Sequence, residues 1–373
     1  MKMVPLGEVA SIDTALIKPT EISGDTYYLG LEHIEKSSRR ITPSTSGKAG
    51  ITSTKHKFNR NQILYGKLRP NLAKIATPDF DGVCSTDILP ITPSGLVDRA
   101  YLYYFLSWSP TVSKVASKAT GANLPRIKPS ALAEVRIPLP PVDEQRRIAE
   151  ILDKADAIRQ KRRQTIAHLT SLHQSIFHDM FAGFNEYEQL GNLFSVSSGS
   201  TPDRRDPSFF GGSIPWVKTG EVDGRILDTE EKVTQSGRES AGLKLHPAGS
   251  LIIAMYGQGK TRGRAAILGI PATTNQACAV LPPSSEINSQ FVLTQLRIGY
   301  ERLRSSARGG NQANLNLNLI RSFTIKIAPL NLQDEFETRS SLVEGQIDMA
   351  RAAYLQSDHL FASLQSRAFR GEL

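Results

Sequence analysis

The stretch "AMYGQGKT", Ala254 to Thr261, comes close to spelling a phosphate loop: Gly259, Lys260 and Thr261 stand where such a loop needs them. The first required glycine is Ala254, however, and the following "RGRAAILGIP" does not open a helix whose N-terminus could receive phosphates. A basic turn between strands is the better reading. His168, His173 and His178 recur at spacings of five, which do not share one helical face, so they are read as seam or surface residues and not as metal ligands. Cys84 and Cys278 are the only cysteines, too few for a zinc knuckle or a disulfide framework, and are read as small buried residues. Neither a glycine-rich turn suited to adenosylmethionine nor an Asn/Asp-Pro-Pro-aromatic loop is present. No nucleophile, base and oxyanion set assembles from these residues, so no active site is expected.

What remains is binding chemistry. "YGKLRPNLAK" carries Lys67, Arg69 and Lys74, and "YGQGKTRGR" carries Lys260, Arg262 and Arg264 at the corresponding point of the second half. "TGANLPRIKP" offers Asn123, Arg126 and Lys128, while "SARGGNQANLNLNL" offers Arg308, Asn311, Gln312, Asn314 and Asn316. Lys218 in "IPWVKTGEV" completes the set. Lysine and arginine suit phosphate contacts; arginine, asparagine and glutamine can also read base edges. The same amides could instead cap turns. The formal net charge of +9 is unevenly placed. Residues 1–142 hold 18 Lys and Arg against 11 Asp and Glu, and residues 186–331 hold 16 against 12. Basic lobes on near-neutral connecting segments point to a polyanionic partner, with nucleic acid the usual one.

The connecting segments explain how such residues would be held. In "IPLPPVDEQRRIAEILDKADAI", Ile137 to Ile158, Pro138, Pro140 and Pro141 force an extended approach, and Asp143 and Glu144 then suit the positive end of a helix. A shift of 188 residues lays this stretch on "IKIAPLNLQDEFETRSSLVEGQI", matching Pro141 with Pro329 and Gln145 with Gln333, and later Phe181 with Phe369 and Gly183 with Gly371. An internal repeat of this kind decides the architecture. Phe336, Ser340, Val343, Ile347, Ala350, Tyr354, Ser357, Phe361, Leu364 and Ala368 follow alternating steps of four and three. Their counterparts, Ile148 to Met180, form a similar seam interrupted by Arg159, Arg162 and His173. Two helices of about 55 Å are expected, paired antiparallel within one chain, with a parallel homodimer as the rival. The predicted organisation is a lobe over 1–142, a helix over 143–185, a second lobe over 186–331 and a second helix over 332–373. The lobes read as mixed α/β, so the fold class is α+β in a pseudo-twofold arrangement on an intramolecular coiled coil.

Together these stretches resemble the specificity (S) subunit of type I restriction-modification systems, over essentially the whole chain. "IPLPPVDEQRRIAEILDKADAI" is similar to the family's first repeated helical region, and "YYLGLEHIE", "ILYGKLRPNLAKI" and "CSTDIL" to its target-recognition motifs. "IPWVKTGEV", "GGNQANLNL" and the terminal "AFRGEL" repeat the resemblance in the second half. The second repeat departs from the pattern where Lys326, Ala328 and Asn331 stand in place of Pro138, Pro140 and Asp143, which makes its entry to the helix less stiff. The resemblance implies two target recognition domains reading an asymmetric bipartite site on double-stranded DNA, spaced by a helical ruler. It also implies two modification (M) subunits carrying S-adenosylmethionine, restriction (R) subunits using ATP and Mg, and no cofactor on this chain. Arg159 and Arg162 would then face acidic helices of the M subunits. No apolar run is long enough to span a bilayer and the N-terminus lacks a signal-peptide core, so a cytoplasmic protein is expected. A stand-alone NTPase built on "GQGKT" and a coiled-coil adaptor without nucleic acid are the competing readings.

Overall fold

The computed structural model describes residues 2–257, 259–307 and 314–373. It divides into two compact units, Met1–Arg163 with Ala352–Leu373, and Gln164–Arg351. Two helices dominate, Val142–Phe181 and Leu330–Arg370, against the spans 143–185 and 332–373 read from the sequence. Each runs through both units. Each half helix contributes side chains to the core of one unit.

Every seam position named from the sequence is buried or half-buried, on both helices. The pairing is antiparallel within the chain. In the first unit Arg159 meets Asp358 and Phe361, and in the second His173 meets Ser340 while Phe177 meets Phe336. Arg159 and Arg162, expected to face a partner, are instead engaged inside the molecule. The Arg159 guanidinium lies 3.1 Å from Asp358 and over the Phe361 ring, and Arg162 donates to the Ala353 carbonyl. A guanidinium whose stem lies in a half-buried seam finds its acceptors on the facing helix, because leaving it unpaired there would be costly.

In the first unit an antiparallel sheet of order Ala10–Ile12, Ile88–Pro93, Ile63–Gly66, Ile75–Ala76 backs onto the helix Arg99–Ser107. Tyr101, Leu102, Tyr104 and Phe105 of that helix enter one core with Ile148 and Leu152 of the first long helix and Phe361, Ala368 and Phe369 of the second. In the second unit Leu251–Ala254 pairs with Ala265–Leu268 and Cys278–Leu281, and Ser289–Ile298 supplies the packing helix. Phe181 there sits 4.7 Å from Phe291, as Phe369 sits 5.3 Å from Tyr101 in the first unit. Parallel pairs in both units, Tyr27–Leu29 on Gly82–Cys84 and Trp216–Val217 on Thr273–Thr274, make the strand pairing mixed, and strands and helices alternate in both lobes as the mixed α/β reading expects. Cys84 and Cys278 are free and buried.

The proline-rich entry takes the expected extended form: Arg136–Pro138 pairs antiparallel with Met3–Pro5, and Thr324–Lys326 with Tyr187–Gln189. The repeated glutamines lock each helix to its lobe. Gln145 is fully buried; its Nε2 donates to Pro140 O at 2.8 Å and Leu96 O at 3.0 Å, and its Oε1 accepts from Asp98 N at 2.8 Å. Gln333 repeats this with Ala328 O at 2.7 Å and Asn288 N at 2.8 Å. Asp98 and Asn288 are the N-caps of the two packing helices, so one side chain ties two helix starts together.

The seam is pH-sensitive at one point. His173 is buried, with Nε2 2.5 Å from Ser340 Oγ, and burial holds its imidazole below the usual 6.5; Arg297 pushes the same way and Glu344 opposes. The folded chain resists a proton that the unfolded chain accepts. Stability is thus present above about pH 6.5 and is lost as the pH falls from there toward the depressed folded value. Thermal melts of wild type and His173→Gln between pH 7.5 and 5.5 check this. Wild type is expected to lose more stability on acidification, and parallel slopes would remove His173 as the cause.

Candidate nucleic-acid interface

The basic turn of each lobe closes a β-hairpin. In the first, Ile63–Gly66 and Ile75–Ala76 are joined by 67–74, and in the second, Leu251–Ala254 and Ala265–Leu268 are joined by 255–264. A second loop, distant in sequence, is stitched against each turn. Ile127 N donates to Lys67 O at 3.0 Å, and Leu315 N to Met255 O at 3.1 Å. These are equivalent bonds, since both partners are displaced by 188 residues.

The first lobe thereby brings Lys67, Arg69, Asn123 and Arg126 onto one patch. Arg69 N donates to Pro125 O at 2.7 Å, its guanidinium reaches Asn123 O at 3.5 Å, and Leu68 bridges Arg126. Arg69 and Ala73 both adopt left-handed backbone, at φ of 49° and 44°, which non-glycine residues rarely hold. Such strain persists only where surrounding bonds over-determine it, and here it turns the exposed Arg69 outward. Not all of the cations are free to meet a ligand. Arg126 makes a two-pronged pair with Asp87 at 3.0 and 3.3 Å, and Lys74 donates to Leu31 O at 2.5 Å. Lys128 is the exposed N-cap of Pro129–Ala133.

In the second lobe the turn is braced from below. Tyr300 Oη donates to Lys260 O at 2.8 Å, and Arg304 donates to Arg262 O at 3.1 Å. Lys260 is exposed, whereas Arg264 is half-buried with Asp223 3.8 Å away. Asn314 occupies the place of Arg126, and Asn316 that of Lys128, where it caps Leu317–Arg321 through Leu319 N at 2.9 Å. Lys218 lies between Glu231 at 2.9 Å and Glu230 at 3.0 Å, which hold its ammonium above the usual lysine range. Arg308, Asn311 and Gln312 fall outside the described residues. Sequence reasoning missed Asp87, Glu230 and Glu231, the carboxylates that engage Arg126 and Lys218. It also missed Tyr300 and Arg304, whose aromatic and cationic ends brace the turn. Nothing in their local spacing distinguishes these residues from ordinary surface positions.

The family model for the type I restriction modification DNA specificity domain matches residues 1–168 and 185–337. The chain is 32% identical over 181 residues to the specificity subunit of the type I restriction enzyme EcoDI of Escherichia coli, covering 47% of this chain and 40% of that protein. It is 24% identical to the MjaIX specificity subunit of Methanocaldococcus jannaschii, covering 66% of this chain and 63% of that one. The matches thus span less than two thirds of these relatives' lengths. The S subunit of a type I restriction-modification system from M. genitalium shares the fold, with a TM-score of 0.58 and 16% identity over 99% of this chain and 96% of that one. No helix among the described residues is long and apolar enough to cross a membrane.

Proposed function

The chain belongs to the type I restriction-modification DNA specificity family, and from that premise we propose that it is a non-catalytic reader of an asymmetric, bipartite site on double-stranded DNA. The supporting observation is the repeated pair of loops. Each lobe holds a basic hairpin turn against a second polar loop through the same backbone bond, Ile127 to Lys67 and Leu315 to Met255. The side chains carried on that common frame differ, Arg69, Asn123 and Arg126 in one lobe against Lys260, Arg264 and Asn314 in the other. Two readers of shared scaffold and unlike surface suit two unlike half-sites, with phosphate contacts placing each lobe and base edges read from it.

In this reading the two long helices act as the spacer between half-sites. Two M subunits, bringing S-adenosylmethionine to methylate adenine, dock on this chain, and R subunits add ATP- and Mg-dependent translocation and cleavage. The setting is the cytoplasm, and this chain binds no cofactor for the methyl transfer. Co-expression with candidate M subunits followed by mapping of methylated adenines tests it: a two-part motif is expected, and methylation at a continuous motif or none in any pairing would sink the reading.

Lys67→Ala and Lys260→Ala are expected to weaken binding to all duplexes alike and to lower the slope of log K against log salt by about 0.9 each, as loss of one phosphate contact does. Fluorescence anisotropy across a salt series measures it. A change in the preferred base, with the slope intact, would make that lysine a base reader instead.

A further inference from the structure

The second unit holds a half-open cavity of about 510 Å³ between the hairpin turn, the packing helix and the two long helices. Its counterpart in the first unit is plugged. There the chain between Ile34 and Ile41 sends Arg39 inward, with Nη1 2.7 Å from Asp153 and the guanidinium 4.3 and 4.5 Å from the Tyr103 and Tyr104 ring centres. Glu35 of the same loop pairs with Arg163. At the positions displaced by 188, Asp153 becomes Ser341, Tyr104 becomes Val292, Glu35 becomes Asp223 and Arg163 becomes Arg351. The second unit's loop turns back after Asp223, Gly224 and Arg225, with Gly224 in left-handed backbone at φ +59°. Among the described residues none takes the place of the Arg39 guanidinium, and Leu227, at the position displaced by 188, is exposed.

The cations around it have donors to spare. Arg297 is committed to Glu344 at 2.7 Å. Arg264 and Arg351 stand 3.8 and 3.7 Å from Asp223 and Asp348, beyond hydrogen-bond reach, and the Arg225 and Lys260 side chains have no carboxylate within ion-pair distance among the described residues. Ile267, Ile298 and Ile347 give an apolar wall beside these charges. Guanidinium forks suit phosphate oxygens, and the volume falls in the range that encloses a small organic ligand.

We propose that this cavity binds a phosphate ester of about mononucleotide size, its phosphate held by Arg351 with Arg225, Lys260 and Arg264 and its less polar body against the isoleucine wall. The site goes beyond DNA reading and uses side chains instead of a phosphate loop: the segment after Lys260 continues into the strand Ala265–Leu268. Arg351 and Gly345 lie outside the candidate DNA contacts, so failure here and failure of the DNA reading are separable. Gly345 gives a clean probe because a Cβ placed on it meets nothing within 4 Å, so Gly345→Phe can grow into the cavity.

Isothermal titration of the full chain with AMP, adenosine and inorganic phosphate tests the proposal, with circular dichroism confirming that each variant folds. AMP is expected to bind one to one, adenosine and inorganic phosphate at least tenfold more weakly. Arg351→Ala is expected to weaken AMP at least tenfold, Gly345→Phe to abolish binding and Gly345→Ala to retain it. If Gly345→Phe does not fold, Arg351→Ala and the adenosine comparison decide. Absence of AMP binding at millimolar concentration overturns the proposal. So does binding that survives Gly345→Phe or is indifferent to Arg351→Ala, which would put the anion on the outer surface, and so does inorganic phosphate binding as tightly as AMP, which would remove the ester.

Discussion

Inserting four residues into both long helices, after Ala167 and after Gln346, is expected to lengthen the gap between the two halves of the methylated site by about two base pairs while leaving the halves unchanged. Four helical residues add about 6 Å of rise, close to two steps of a duplex at roughly 3.4 Å each. They also add about one full turn, so each side chain keeps most of its facing. Matched insertion matters because the helices are antiparallel and share a seam. In the second unit His173 meets Ser340 and Phe177 meets Phe336, and lengthening one helix alone would put these pairs out of register. Methylome mapping with a co-expressed M subunit reads the result. A fully methylated site with its original gap would show that the helices do not set the distance, and altered half-sites would show that the lobes do not read independently.

The second large effect lies where helix and lobe are fastened. Gln145→Leu is expected to destabilise the chain by about 3 kcal/mol, because it takes this partner from one buried carbonyl and from a part-buried carbonyl and N–H, a fully buried group costing about 1–3 kcal/mol and the other two less before relaxation. The carbonyls are those of Pro140 and Leu96, and the N–H is that of Asp98, the cap of the packing helix. For a unit of this size the melting temperature would fall by roughly 6–12 °C. Gln333→Leu is expected to act the same way on the second unit, since its amide spans Ala328 O and Asn288 N. Gln160→Ala is the control: this exposed glutamine donates to Asp156 one turn back, and its loss should cost less than about 0.5 kcal/mol. Calorimetry that found Gln145→Leu as mild as Gln160→Ala would show that the helix start is held by the proline segment and apolar packing alone.

The repeat, the two long helices, their seam and the extended entry at Arg136–Pro138 are legible in the amino-acid order, because each of these is written in local periodicity or in backbone chemistry. A step of four and three places Phe336, Ile347 and Phe361 on one face whatever they pack against, and Pro138 and Pro140 keep the approach extended because each lacks a backbone donor and fixes φ. The likeness of the turns after Ile63–Gly66 and Leu251–Ala254 was legible in their runs, "YGKLRPNLAK" and "YGQGKTRGR", each a strand followed by a basic turn. Tertiary structure alone decided which of the basic residues remain available. Arg126 is matched by Asp87 and Lys218 by Glu230 and Glu231, and those pairings depend on which loops the fold brings together. Arg159 and Arg162 looked like contacts for a partner, yet the antiparallel helix supplied Asp358 and the Ala353 carbonyl from the far end of the same chain. The open cavity of the second unit was equally invisible. It accompanies a loop after Val222 that turns back at Gly224 and carries Leu227, not an arginine, at the position of Arg39, and a void is a property of what several elements fail to fill together, not of any residue's own preference.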